Sequence, residues 1–347
     1  NDGGRAILMS HLGRPKGKPK PEFSLKPAAE RLGKLLGKPV AFALDCIGEQ
    51  AAKAVAALKN GECLLLENLR YHAEEEANDA KFAGELARLG DVFVNDAFGS
   101  AHRAHASTEG VTRHMKTCAA GYLMRKELEY LGKAVGNPAR PYVAILGGAK
   151  ISGKIDVIQN LLQKVDVLLI GGGMMFTFYR AQGKEIGKSL LEEDKVDLAR
   201  KILNEGSLKI KLPVDCVVSE KFENAAKTRT VGSDQIPKDW IGMDIGPETV
   251  KLFANEIRKA KTVVWNGPMG VFEMENFARG TNAVARTLAE STANGTVTIV
   301  GGGDSAAAIT QAGLEKSVSH VSTGGGASLE LLEGKILPGV AALTEKP

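Results

Sequence analysis

The run Tyr142-Val-Ala-Ile-Leu-Gly-Gly-Ala-Lys150 sets the pattern that repeats along the chain. Five unalternating apolar residues end in two glycines, and an amphipathic stretch, Ile155–Lys164, follows. An apolar run without alternation suits a strand buried on both faces, as in a parallel sheet. Glycines at such a strand end leave bare backbone N–H groups where the chain enters a helix. The same order recurs in Leu168-Leu-Ile-Gly-Gly-Gly-Met174, Thr298-Ile-Val-Gly-Gly-Gly-Asp-Ser305 and Ser322-Thr-Gly-Gly-Gly-Ala-Ser328. One such cluster is an ordinary tight turn. Four of them, one with Lys150 and one with Asp304, point to a phosphate site at the carboxyl edge of a sheet.

Outward from these clusters, short apolar runs alternate with helical patterns almost throughout. Further strands are expected at Arg5–Met9, Pro39–Leu44, Cys63–Leu66, Asp91–Val94, Val165–Ile170, Val214–Val218, Thr262–Trp265, Thr296–Val300 and Ser319–Ser322. Helices are expected at Lys26–Leu36, Glu49–Leu58, Glu74–Leu89, Leu191–Glu205, Pro247–Ala260, Ala278–Ser291 and Ser305–Ala312. Such alternation predicts an α/β chain with parallel sheets and right-handed crossovers. Arg125–Val135 has helical spacing, with Leu128 and Leu131 on one side, and ends in Gly136-Asn137-Pro138. It reads as a helix between two domains.

The composition agrees. A chain of 347 residues is too long for one ordinary core. Hydrophobic residues at 44% and charged residues at 25% exclude a disordered, collagen-like or coiled-coil chain. No apolar run approaches the roughly 18–20 residues that span a bilayer, and no leader is visible at the start. A net charge of +4 and 5% aromatics argue against nucleic acid. Cys46, Cys63, Cys118 and Cys216 form no CxxC pair, which predicts neither a zinc site nor a disulfide framework. The expectation is a reduced, cytoplasmic protein. The chain opens Asn-Asp-Gly-Gly-Arg without a Met, so it reads as a fragment whose N-terminal part is missing.

The first half is basic and rich in histidine. Three apolar runs end in cationic loops: Ser10-His-Leu-Gly-Arg-Pro15, Glu67-Asn-Leu-Arg-Tyr-His72 and Asn95-Asp-Ala-Phe-Gly-Ser-Ala-His-Arg-Ala-His105. In one parallel sheet all three loops fall at the same edge, which would gather Arg14, Arg70 and Arg103 with His11, His102 and His105. Convergent Arg forks suit a small, highly charged acid such as a phosphorylated carboxylate. Zinc fits these His residues poorly, because no thiol or Glu has suitable spacing.

Two common motifs nearly match. Gly148-Ala-Lys-Ile-Ser-Gly-Lys154 resembles a P-loop, but Ile155 stands where Ser or Thr would hold magnesium. Gly301-Gly-Gly-Asp-Ser-Ala306 fits the G-x-G-x-x-A dinucleotide fingerprint, yet sits on the fifth expected strand of its half rather than the first.

Taken together, Ser10–Pro15, Leu66-Glu-Asn-Leu-Arg70, Asn95–His105, Gly147-Gly-Ala-Lys150, Trp265-Asn-Gly-Pro-Met-Gly-Val-Phe-Glu273 and Gly301-Gly-Gly-Asp304 resemble the phosphoglycerate kinases from end to end. The resemblance implies two doubly wound parallel-sheet domains joined by a helix, with a cleft between them. The implied boundaries are residues 1–124 for acid binding, 125–140 for the helix, 141–335 for the nucleotide, and 336–347 for a tail returning to the first domain. The implied reaction is reversible phosphoryl transfer from 1,3-bisphosphoglycerate to MgADP, giving 3-phosphoglycerate and MgATP, by a monomer that closes about a hinge.

Carried over by residue, His11, Arg14, Arg70, His102, Arg103 and His105 would form the acid patch. Gly148, Lys154, Gly171, Gly172, Asn266, Pro268, Glu273, Gly301, Gly302, Gly303, Asp304 and Ser305 would surround the nucleotide. Lys150, Gly302, Gly325 and Gly326 would meet the transferring phosphoryl group with Gly324, and Asp304 would hold Mg2+. The family carries several dozen residues before this start, including a strand and an Arg that reaches the transferring group. Their absence from this chain predicts weak turnover. Gly153 stands where the family commonly has a bulkier residue. A nicotinamide-dependent dehydrogenase and an inactive nucleotide-binding fragment are the rival readings.

Overall fold

The computed structural model describes residues 3–344. The chain divides into two compact units, one of Asn1–Arg125 with Ile336–Pro347 and the other of Lys126–Lys335. No helix among the described residues is long and apolar enough to cross a membrane.

The first unit holds β1 (Ala6–Leu8), β2 (Val40–Phe42), β3 (Cys63–Leu65), β4 (Phe93–Asn95) and β5 (Cys118–Ala120). They form two parallel sheets, β1-β3-β2 and β4-β5. Between them come α1 (Lys26–Leu36), α2 (Gly48–Ala56), α3 (Ala73–Glu76) and α4 (Ala80–Ala87). A cavity of about 750 Å³ lies between β1 and β4, with Ile7, Met9, Leu66, Leu86 and Val94 in its wall. The expected single helix Glu74–Leu89 is in fact two. Asn78 adopts a left-handed φ of 53°, and the side chain of Asp79 then accepts from the backbone N–H of Phe82 at 2.8 Å to start α4. Asn tolerates that conformation and Asp caps helices, so the break is local chemistry.

Helix α5 (Tyr122–Gly136) crosses from one unit to the other. The second unit follows with β6 (Tyr142–Leu146), α6 (Ile155–Lys164), β7 (Val167–Ile170), α7 (Met175–Ala181), α8 (Val196–Glu205) and β8 (Ile210–Lys211). Next come β9 (Asp215–Ser219), β10 (Thr228–Gly232), β11 (Ile241–Ile245), α9 (Pro247–Lys259), β12 (Thr262–Asn266) and α10 (Arg279–Ala293). The unit ends with β13 (Val297–Gly301), α11 (Gly303–Gln311), β14 (His320–Val321) and α12 (Gly325–Leu332). Six strands make one parallel sheet in the order β14-β13-β12-β6-β7-β8. Every residue of β6 and β12 is buried, as the unalternating runs require.

The run Val214–Val218, expected in that sheet, lies elsewhere. It forms β9, the centre of an antiparallel sheet with β10 and β11. A five-residue apolar run records burial on two faces and says nothing of its partner's direction. The core of the unit joins both sheets through Val143, Trp265, Val218, Phe176 and Phe253.

The last helix, α13 (Pro338–Ala341), belongs to the first unit. Gly339 donates to the Ala101 carbonyl at 2.9 Å, and its own carbonyl accepts from Asn95 Nδ2 at 3.1 Å. Thr344 donates its backbone N–H to Cys118 at 2.8 Å and accepts from Cys118 N–H at Oγ1 at 3.0 Å.

Candidate active site

In the six-stranded sheet the chain builds one way from β6 through β7 to β8, then returns and builds the other way from β12. The switch point is therefore between β6 and β12, and ligands of open α/β sheets bind at the carboxyl side of such a point. Three strand-end turns meet there, backbone to backbone. Gly147 donates to Asn266 O at 2.9 Å, Gly148 to Pro268 O at 2.9 Å, and Gly172 to Met269 O at 3.1 Å. Gly172 has φ +68°, and a Cβ on it would stand 2.5 Å from the Gly148 nitrogen. Gly171 and Gly172 are buried in this stack. The resemblance has both bordering the nucleotide; in the structure they let the turns touch.

Two helices begin beside the stack. Gly302, with φ +89°, turns the chain from β13 into α11, and Gly324 leads into α12. A Cβ on Gly325 would lie 3.4 Å from the Gly303 nitrogen, so the two N-termini are neighbours. Gly303, Asp304 and Gly326 are exposed. Two sets of unsatisfied helix N–H groups at one place make an anion cradle. Asn266, the last residue of β12, is buried below Gly302, and a Cβ there would meet its Nδ2 at 3.0 Å. Its Oδ1 accepts from Lys154 Nζ, while its Nδ2 has no partner among the described residues.

Burial pushes Lys154 down to about 8, against the charges of Asp304 and Glu333, which raise it. A cation held partly desolvated and waiting for opposite charge is what an anion site needs. Lys150, on the same loop, is exposed. Ser305 is fully buried and its Oγ accepts from the Gly267 N–H at 2.6 Å, so its hydroxyl secures a turn. Pro268 is buried in the same turn, and Glu273 is exposed further along.

The Lys154 ammonium has a measurable consequence. Below about pH 8 it is charged with or without an anionic ligand, so affinity for a nucleoside diphosphate is expected to be level. Above that pH the ligand must draw a proton onto it, and affinity falls by up to about tenfold per pH unit. Calorimetry at pH 9 in two buffers of different ionisation enthalpy is expected to show net proton uptake. Lys154→Met is expected to abolish that uptake.

The cationic and histidine loops of the first unit assemble differently from expectation. The first two cationic loops follow β1 and β3, which are neighbours, but the third follows β4 in the other sheet. What joins them is Glu75, a residue the sequence reading passed over. It is fully buried at the end of the short helix α3. His11 Nε2 lies 2.7 Å from its Oε1, and Ser107 donates to it from Oγ at 2.6 Å and from N–H at 3.0 Å. His105 Nδ1 stands 3.7 Å from Oε1, and the His11 and His105 rings meet edge to face at 5.5 Å. Burial alone would raise the Glu75 carboxyl, but the bonds from His11 and Ser107 and the two imidazole charges hold it below its ordinary value. His105 is pulled down by burial, with Glu75 opposing.

Around this anchor, Arg70 donates to Gly13 O at 3.0 Å and pairs with Glu76 at 3.1 Å. Burial lowers Arg70, and the charges of Arg103 and Arg14 lower it further while Glu76 opposes. Three guanidiniums that feel one another's repulsion are a patch that an anion relieves. Arg103 donates from Nε to His102 Nε2 at 3.2 Å, and Arg14 is exposed.

Against this geometry the comparisons are specific. The family model described as phosphoglycerate kinase matches residues 1–335. A phosphoglycerate kinase of Chloroherpeton thalassium is 64% identical over 347 residues, covering 99% of this chain and 87% of the relative. One from Chlorobium chlorochromatii is 61% identical over 345 residues, with the same shares covered. Among solved structures, the phosphoglycerate kinase of Coxiella burnetii superposes with a TM-score of 0.88 at 42% identity, covering 97% of this chain and 85% of that one. That of Pyrococcus horikoshii gives 0.81 at 32% identity, over the same shares.

Proposed function

This chain belongs to the phosphoglycerate kinase family, and from that premise we propose how its residues divide the work. The reaction is reversible phosphoryl transfer between the acyl phosphate of 1,3-bisphosphoglycerate and ADP, giving 3-phosphoglycerate and ATP. The dehydrogenase reading is set aside, since both relatives and both neighbouring structures are kinases.

A β-phosphate oxygen of ADP attacks the acyl phosphorus, and the bond from phosphorus to the carboxyl oxygen breaks. Negative charge spreads over the transferring oxygens, so the protein's task is alignment and neutralisation. Arg14, Arg70 and Arg103, with His11, His102 and His105, hold the phosphate and carboxyl ends of the acid. Glu75 fixes His11 and thereby the patch. Lys154 receives the nucleotide phosphates beside Asn266, with Gly148 and Gly301–Ser305 shaping the bed and Pro268 and Glu273 at the nucleoside end. Lys150 and the N–H groups at Gly302, Gly325 and Gly326 face the transferring group.

Magnesium fits the donor set. Asp304 offers an exposed hard carboxylate at the start of α11, and among the described residues its side chain makes no hydrogen bond or ion pair. Mg2+ commonly takes one or two carboxylates and completes its shell with phosphate and water. When bound it neutralises phosphate charge. Four free, scattered cysteines support a reducing, cytoplasmic setting, and we take the protein to act as a monomer.

The observation that carries the assignment is the meeting of two helix N-termini with the half-desolvated Lys154 at the switch point. Separate calorimetric titrations with MgADP and 3-phosphoglycerate, beside a coupled turnover assay, test it. Saturable one-to-one binding of each is expected. Binding of MgADP that survives Lys154→Met with Asn266→Ala unchanged would overturn the nucleotide assignment. For the acid side, Arg70→Lys keeps charge but loses the planar fork and the reach to Gly13 O. It is expected to raise KM for 3-phosphoglycerate by about tenfold, one lost charge-assisted hydrogen bond, with KM for MgATP unchanged.

A further inference from the structure

Asp45, Cys46 and His72 bring a carboxylate oxygen, a thiol sulfur and an imidazole nitrogen to within 4.8 Å of one another. The reaction above uses none of them. Asp45 and Cys46 lie between β2 and α2, whereas His72 stands at the entry to α3. No sequence spacing announces them, because two elements supply the donors.

The details suit a cation better than a simple ion pair. Asp45 Oδ1 lies 2.7 Å from His72 Nε2 and also accepts from the Cys46 N–H at 2.7 Å, so the carboxylate is oriented from two sides. Cys46 is fully buried, and the His72 ring rests against Phe82 at 5.2 Å. On the other side the His72 and Asp45 side chains keep 26% and 42% of their exposure. The cluster is therefore closed by protein behind and open to water in front.

We propose that Asp45, Cys46 and His72 form a binding site for a zinc-class divalent cation, with a fourth position open to water. Sulfur, nitrogen and oxygen together match zinc or cobalt, whereas magnesium and calcium require oxygen shells. Bonds of about 2.0–2.3 Å in a tetrahedron put neighbouring ligand atoms roughly 3.3–3.8 Å apart. The cluster reaches that geometry if the Asp45–His72 contact, now 2.7 Å, opens by about 1 Å and the thiol, within 4.8 Å of both, settles to the same spacing. The other mixed cluster, His11 with Glu75 and His105, has no thiol and belongs to the acid patch.

The test uses Co2+ as a spectroscopic probe and Zn2+ in calorimetry on the whole chain. One equivalent of cobalt is expected, with a sulfur-to-cobalt charge-transfer band in the near ultraviolet. Cys46 is the only cysteine in either cluster among the described residues, so the band is expected to vanish in Cys46→Ser. Zinc affinity is expected to fall at least about tenfold in Cys46→Ser and in His72→Gln, the latter changing a partly exposed side chain. Cobalt bound without a thiolate band, a band that survives Cys46→Ser, or a folded chain that binds no zinc would each overturn the site.

Discussion

Replacing Lys150 with alanine is expected to lower kcat by about 10²–10³ in both directions, the loss that follows removal of one donor to a transition-state oxyanion. KM for MgADP is expected to stay within about threefold, because an interaction made only in the transition state leaves ground-state binding alone. The two lysines of the loop after β6 differ in what they already do. Lys154 is desolvated and bonded to Asn266, so it is built into the proposed nucleotide bed. Lys150 is exposed, and no hydrogen bond or ion pair occupies it among the described residues. An ammonium with nothing to give up can follow charge as it develops. Removing an exposed side chain also spares the fold, so an unchanged melting temperature is part of the expectation. A coupled assay run in each direction decides it. A loss confined to KM would make Lys150 a ground-state binding residue, and kcat and KM both near the parent values would make it an ordinary surface cation.

The largest stability effect is expected at Glu127. This carboxylate on α5 is fully buried, 2.7 Å from His320 Nε2. It also accepts from the Thr323 N–H at 2.7 Å and from its hydroxyl at 2.8 Å. Burial would raise it, but His320 and Thr323 outweigh burial and hold it below the ordinary carboxylate value. Glu127→Ala leaves a buried imidazole and a backbone N–H without partners, which costs about 3–5 kcal/mol. The His320 ring, stacked on Tyr130 at 4.9 Å, cannot turn to water without giving up that contact. Both tryptophans, Trp240 and Trp265, lie in the second unit, so fluorescence-monitored urea unfolding reports on that unit alone. A group whose folded pKa is depressed stabilises fully above its unfolded value, and that contribution fades as pH falls through the folded one. The gap between variant and parent is therefore expected to be constant at neutral pH and to narrow only in acid, below the usual carboxylate range. A gap under about 1 kcal/mol at pH 7 would mean that water replaces the carboxylate.

How far the sequence carries a reader differs from element to element. β6 and β12 are legible because an unalternating apolar run ending in glycine has few other uses, and both are wholly buried. The start of α11 is legible for the same reason. The antiparallel sheet is not, since β10 begins with three exposed residues and offers no apolar stripe. Its Arg229 instead lies over Trp240 at 4.0 Å, a pairing across distant positions. The break at Asn78 carried a signal, an Asn followed by a capping Asp, that the helical spacing around it concealed. Glu75 carried none. In Glu74-Glu75-Glu76 it looks like one more solvated charge, and only the packing shows that His11 and Ser107 have claimed it. In the sequence the glycine clusters speak for what they leave open, whereas Gly147 and Gly172 serve equally by letting three turns touch.

The closing contacts of α13 bear on the order in which this protein comes into being on the ribosome. Asn95 and Gly339 are 244 positions apart, and Cys118 and Thr344 are 226 apart. The whole of Lys126–Lys335 is synthesised between them. A nascent chain therefore completes the later unit before the earlier one can receive its last segment. The usual sequence, in which the first domain made is the first finished, is reversed here. The first unit must wait with its seat for α13 vacant, and its final step carries the slow search that distant partners impose.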